Sequence, residues 1–119
     1  MKIIVQKFGG TSVASEEARV AVKNKVQQAI RNGYSPVVVV SAMGRKGAPY
    51  ATDTLIGTLK DVNLSVNVRE MDMMMCCGEI ISSCKVDLTY SGILLPIAIS
   101  TARGWITFAP LCAIWQTSA

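Results

Sequence analysis

Val5-Gln6-Lys7-Phe8-Gly9-Gly10-Thr11-Ser12-Val13 is the stretch on which the reading of this chain turns. A β-branched run, Ile3-Ile4-Val5, leads into it, and a segment with helical spacing follows at once. Strand, lysine, paired glycines, two hydroxyl residues and helix make an order suited to holding an anionic group such as a phosphate. Adjacent glycines let the backbone approach an anion closely and adopt positive φ. Successive N–H groups then form an anion-binding concavity. Lys7, at the end of the strand, reaches toward the same place, and strand ends are where open α/β sheets bind ligands. Taken alone the signal is weak. Neither GxGxxG nor GxxxxGK[ST] is present, so a plain strand-to-helix turn reads the same residues equally well.

Outward from this stretch, Lys2 to Phe8 is expected as a buried strand and Gly9 to Ala14 as its loop. Ser15 caps a helix, with Glu16 and Glu17 in the first turn where the dipole favours acids. Ala18, Ala21, Val22, Val26, Ala29 and Ile30 make one apolar stripe, and Asn32-Gly33 stops the helix. Val37 to Val40 is an unbroken β-branched run of the kind found in parallel sheets. The first forty or so residues therefore spell strand, helix, strand, joined by a right-handed crossover. Ser41-Ala42-Met43-Gly44 ends the second strand and Arg45 to Ala51 forms a basic loop. Thr52 or Asp53 caps a short helix reaching Leu59, and Asp61 to Asn67 is a polar connection. Val68 to Met75 is helical by composition. Gly78 is expected to interrupt it, with a further helix from Glu79 toward Val86. Past Asp87 the only formally charged side chain is Arg103. Cys84 to Gly92 is a poor helix, Leu94 to Ile99 is a candidate third strand in spite of Pro96, and Trp105 to Trp115 has no clear period.

With 119 residues, half of them apolar, the chain has room for one domain and one sizeable core. The net charge of +4 is mild and its lysines and arginines are scattered. No aromatic residues interleave with them as a stacking surface for nucleic acid requires. There is no histidine and no CxxC among the four cysteines, which argues against the common zinc sites and against a Ser-His or Cys-His nucleophile pair. Unpaired thiols suit a reducing cytosol. The N-terminal apolar run is too short for a signal peptide. The longest uncharged stretch, Gly104 to Ala119, falls short of the roughly 20 apolar residues of a membrane span. A cytoplasmic protein with no nucleic-acid or membrane partner is the expectation.

Three segments carry a family resemblance. VQKFGGTSV resembles the N-terminal signature of aspartate kinases, within the amino-acid kinase fold. VVVVSAMGRKGAPYATD and REMDMMMCCGEIISS resemble the family's next two segments, in the same order, through Ser83. The resemblance implies an α/β fold, a three-layer αβα arrangement with a mainly parallel sheet, represented here by its N-terminal portion. It implies phosphorylation of the β-carboxylate of L-aspartate with ATP and Mg, giving 4-phospho-L-aspartate on the way to lysine, threonine and methionine. Full-length members are expected to be homo-oligomers. Carried over by residue, Lys7 would contact the transferring phosphates as the catalytic group. Gly9 and Gly10 would offer them backbone N–H groups and Ser12 would sit beside them. Ser41, next to Ala42, would floor the site for phosphate and substrate. Thr52 would help hold aspartate, and Glu79 would pair with its ammonium group, Gly78 letting the chain turn to aim it.

The chemistry is consistent with those residue types. A carboxylate with a pKa of about 4 is already ionised at neutral pH, so the acceptor needs no general base. Phosphoryl transfer then asks for positioning and charge neutralisation. Each residue also has a plainer reading: Lys7 as a solvated edge charge, Thr52 as a helix cap, Glu79 as an N-terminal helix acid, Arg45 and Lys46 as a solvated loop, and the Met71, Met73, Met74, Met75 cluster as core filling. The family pattern is expected to fade over residues 84–119, leaving a single, incomplete domain that is inactive or weakly active alone. The alternative is a non-catalytic binding or interaction fragment of the same fold.

Overall fold

The computed structural model describes residues 2–89, 97–101 and 104–108, with side chains through Val86. The chain order is β1 (Lys2–Phe8), α1 (Gly10–Ala14), α2 (Glu16–Arg31), β2 (Tyr34–Val40), α3 (Thr52–Val62), α4 (Val68–Thr89), β3 (Ile97–Thr101) and β4 (Gly104–Phe108). They form one sheet in the order β1-β2-β3-β4. β1, β2 and β3 run parallel, and β4 returns antiparallel to β3. This is an α/β fold with a mainly parallel sheet, as expected.

The register pairs Phe8 with Val40 and Lys7 with Val39. Side chains alternate along a strand, so Phe8, Val38 and Val40 share one face. The core lies there: Val22 and Val26 of α2, together with Val13, Met43 and Val86, close over those three, and Cys76 and Ile81 pack beside them. Both crossovers step the same way across the sheet, and right-handed connections then place their helices on the same face. The opposite face of β1 stays open, with Ile3 61% and Val5 64% exposed. The expectation of a buried first strand is thus corrected: Phe8 is its one buried residue, because β1 is an edge strand among the described residues, whereas Val39 of the more central β2, on the same face as Val5, is only 2% exposed.

Helix α2 follows its sequence signals. The Ser15 hydroxyl accepts from the Ala18 N–H at 3.2 Å. Glu17 is held below the usual carboxylate range by backbone hydrogen bonding and by Ser15. Val22, Val26 and Ala29 are buried, and at the far end Asn32 donates its N–H to the Gln28 carbonyl at 3.0 Å.

Other boundaries differ. Gly10–Ala14 is a short helix rather than loop, steadied where Arg19 Nη1 donates to the carbonyls of Val13 (3.0 Å) and Ala14 (3.2 Å). Ala51, not Thr52, is the cap residue of α3, and it makes no side-chain cap bond. Gly78 does not interrupt α4, which runs unbroken to Thr89 and takes in the first part of the expected poor helix. β3 begins at Ile97, and the 94–96 start expected for it lies outside the described residues, as does the stretch 109–119. Gly104–Phe108, within the stretch that showed no period, is a strand.

Candidate active site

Parallel pairing brings the C-terminal ends of β1 and β2 side by side, so Gly9-Gly10 and Ser41-Ala42 leave the sheet together. Ser41 donates its N–H to the Phe8 carbonyl at 3.2 Å, and Gly44 donates to the Gly10 carbonyl at 2.9 Å. The approach is close enough to require glycine. A Cβ on Gly10 would fall on the Ala42 carbonyl oxygen and lie 2.8 Å from that of Gly44. Closeness, not handedness, is what position 10 demands, for positive φ occurs at Gly33, Gly44 and Gly47 and not at Gly9 or Gly10.

The third motif arrives from α4. A Cβ on Gly78 would lie 2.8 Å from the Tyr50 carbonyl oxygen, 2.8 Å from Leu55 Cδ1 and 3.1 Å from Ala42 Cβ. Gly78 therefore lets a straight helix press against the loop after β2; it does not bend the chain. Ala42 touches both neighbours, so the Gly-Gly loop, the Ser41–Gly44 turn and the Gly78–Glu79 turn converge on one residue.

Around that junction, Lys7 is exposed on the sheet face opposite Phe8. Gly9 is open on its own Cβ side, where the one neighbouring atom is Lys7 Nζ at 4.0 Å. That opening, between a bare backbone and an ammonium group, fits an anion such as a phosphate. Ser12 is half-buried and its N–H donates to the Gly9 carbonyl at 2.9 Å. It also lines a cavity of about 160 Å³ with Phe8, Ala18, Ala21, Val22 and Lys25, on the α2 side of the loop. Ser12 thus borders a space shared with Phe8 and α2. Thr52 opens α3, two residues beyond the Tyr50 carbonyl that meets Gly78, and is half-buried.

Glu79 is half-buried, with Oε2 enclosed and without a hydrogen-bond partner, and burial pushes its carboxyl above the usual range. Cys76, one turn earlier, has its thiol pushed up by burial and then by Glu79 and Cys77. Among the described residues no group of three or more His, Cys, Asp or Glu is placed to hold a metal ion, so they offer magnesium no protein cage of their own. Ser82 escaped the sequence reading. It is fully buried and its hydroxyl has no hydrogen-bond partner among the described residues. Its signal was helical spacing from Glu79, already present in the helix expected from Glu79 toward Val86.

This sheet and its convergent turns match a known family: the sequence profile of the amino acid kinase family fits residues 2–109. The chain belongs to that family. It is 48% identical over 102 residues to Aspartokinase 1 of Bacillus subtilis strain 168, covering 86% of this chain and 24% of that protein. It is 46% identical over 82 residues to the aspartokinase of Geobacillus stearothermophilus, covering 69% of this chain and 19% of the relative. The crystal structure of aspartate kinase from Synechocystis superimposes with a TM-score of 0.67 at 38% identity, over 76% of this chain and 15% of that one. The chain therefore spans about a quarter or less of the length of these relatives. Among the described residues, no helix is long and apolar enough to cross a membrane.

Proposed function

We propose that this chain carries the phosphate-and-acceptor side of an aspartate kinase site. The reaction transfers the γ-phosphoryl group of ATP, with magnesium, to the β-carboxylate of L-aspartate, giving 4-phospho-L-aspartate for amino-acid biosynthesis in the cytoplasm. The observation that carries this reading is the convergence of three motifs on Ala42: Gly10 packs against its carbonyl and Gly78 against its side chain.

In this arrangement Lys7 and the backbone at Gly9 and Gly10 take the phosphates, and the Lys7 ammonium offsets charge on the transferring group. Ser41 sits at the floor between phosphate and acceptor, with Ser12 beside the loop. Thr52 holds a carboxylate of aspartate through its hydroxyl. Glu79 meets the ammonium group, and a buried, unpartnered carboxylate oxygen is the right complement to a cation. Magnesium supplies charge neutralisation on the ATP phosphates.

The test is an acyl-phosphate assay: ATP, magnesium and L-aspartate with hydroxylamine to trap the product, for the chain and for Lys7→Ala. Trapped hydroxamate that requires aspartate and disappears in the variant supports the assignment. Turnover unaffected by Lys7→Ala refutes it. A second reading, a non-catalytic interaction fragment, draws on the open face at Ile3 and Val5. Monodisperse monomer by light scattering, with no binding of a hydrophobic dye, would count against it.

A further inference from the structure

Two enclosed oxygens without partners lie one helical turn apart on α4: Glu79 Oε2 and Ser82 Oγ. Residues three apart on a helix share a face, and a helical side chain leans over the turn before its own Cα. Ser82 therefore leans toward the turn that carries Glu79, and Glu79 toward that of Cys76, so the two oxygens meet when the Glu79 side chain folds back along the helix. The adjacent Ser83 is a useful contrast, because its hydroxyl already donates to the Ile80 carbonyl at 2.8 Å. Ser82, none of whose surface is exposed, has no hydrogen-bond partner for its hydroxyl among the described residues. A buried hydroxyl left unmade is costly, and the inner oxygen of Glu79, on the same face of α4, is likewise enclosed without a partner among the described residues.

We propose that Ser82 is a positioning residue for Glu79: a rotation of its side chain lets the hydroxyl donate to Oε2, fixing the carboxylate plane and leaving Oε1 for the ammonium group of the acceptor. The ammonium role rests on the aspartate kinase reading; the pairing of Ser82 with Glu79 does not. Among the described residues, no side chain is recorded in a hydrogen bond with either oxygen. Burial is the cause that raises the Glu79 carboxyl. Of the other titratable groups around this turn, Cys76 lies one turn earlier and Asp72 two turns earlier on α4. From the loop before α3 comes Tyr50, whose ring is covered by Lys85 Nζ at 5.7 Å. The turn after β2 brings Ala42, and α3 brings Leu55.

The experiment is a pH titration of the side-chain carboxyl carbons in the full chain, labelled at its four glutamates, with Glu79→Gln to assign the signal. A donated hydrogen bond favours the ionised form. Ser82→Ala is therefore expected to raise the Glu79 midpoint by about half to one pH unit. Ser83→Ala leaves it in place. Ser82→Cys, close in size and a weaker donor, falls between and guards against a misfolded alanine variant. Calorimetric titration with L-aspartate reads the second half of the proposal, with affinity about three- to tenfold weaker in Ser82→Ala. A midpoint unmoved by both Ser82 variants overturns the pairing. A midpoint that moves in a chain with no affinity for aspartate keeps the pairing and overturns the ammonium role.

Discussion

Gly57 and Gly78 both lie inside helices, and the same substitution at each should act in opposite directions. Alanine is favoured over glycine in a helix interior by about 1 kcal/mol. At Gly57 no atom of the described residues outside its own stretch of helix lies within 4 Å of the added methyl, so Gly57→Ala should realise that gain, roughly 3–6 °C in Tm for a chain of this size. At Gly78 the methyl would sit 2.8 Å from the Tyr50 carbonyl oxygen and 3.1 Å from Ala42 Cβ. Leu55 can turn aside, but the Tyr50 carbonyl is backbone and moves only with the loop that leads into α3. Overpacking of this kind costs about 1–3 kcal/mol, which offsets the propensity gain and leaves Gly78→Ala neutral to about 2 kcal/mol less stable. Because the propensity term is common to both variants, their difference, about 1–3 kcal/mol, reports the packing alone. Urea unfolding followed by far-UV circular dichroism measures both midpoints, with unchanged slopes as the check that the two end states are comparable. Equal stabilisation in the two variants would refute the close approach of α4 to the loop, and with it the meeting of the three motifs.

Other expectations are briefer. Ser15→Ala removes the bond to the Ala18 N–H and should cost about 1 kcal/mol, read by the same unfolding assay. Gly33 has φ of +79° with open space around it. Gly33→Ala should therefore lose about 1 kcal/mol to backbone strain, and Gly33→Asn less, since asparagine tolerates this region; equal losses would point to a clash instead. Burial raises the Glu79 carboxyl in the folded chain, so folding is favoured with the proton on and disfavoured as pH rises through the raised value. Glu79→Gln should accordingly be more stable than the parent at neutral pH, the gap closing as pH falls below the ordinary carboxylate range. A gap independent of pH would place the effect elsewhere.

Much of the first half was legible because its signals are local. The cap at Ser15, the stripe through Val22 and Val26, and the valine run to Val40 each depend on neighbours in sequence. What was misread depends on distant contacts. Gly10–Ala14 has little helical propensity of its own; Arg19 and the Gly44 N–H hold it in place. Gly78 looks like a breaker because its cost is local, whereas its reason, the Tyr50 carbonyl, lies 28 positions back in the sequence. The apolar residues of β1 read as a buried strand, yet its place at the edge of the sheet among the described residues leaves Ile3 and Val5 exposed. At the candidate site the sequence pointed to residue types and order. The shared contact at Ala42, the place of Ser12 beside Phe8 and α2 and the enclosed hydroxyl of Ser82 required the packing.

The register of β1 on β2 has a consequence in time. Every pairing between them, from Lys2 with Tyr34 to Phe8 with Val40, joins residues 32 apart, and the Gly44–Gly10 bond closes the unit within the first 44 residues. Short loop closure is entropically the least expensive kind. A nascent chain can thus assemble the glycine turn and its lysine while α4 is still unmade, and Glu79 then docks onto a finished platform. In pulse-labelled hydrogen exchange during refolding, those amides of Val38 to Val40 that donate to β1 rather than to β3 should gain protection before those of α4; simultaneous protection would show that the two halves form as one.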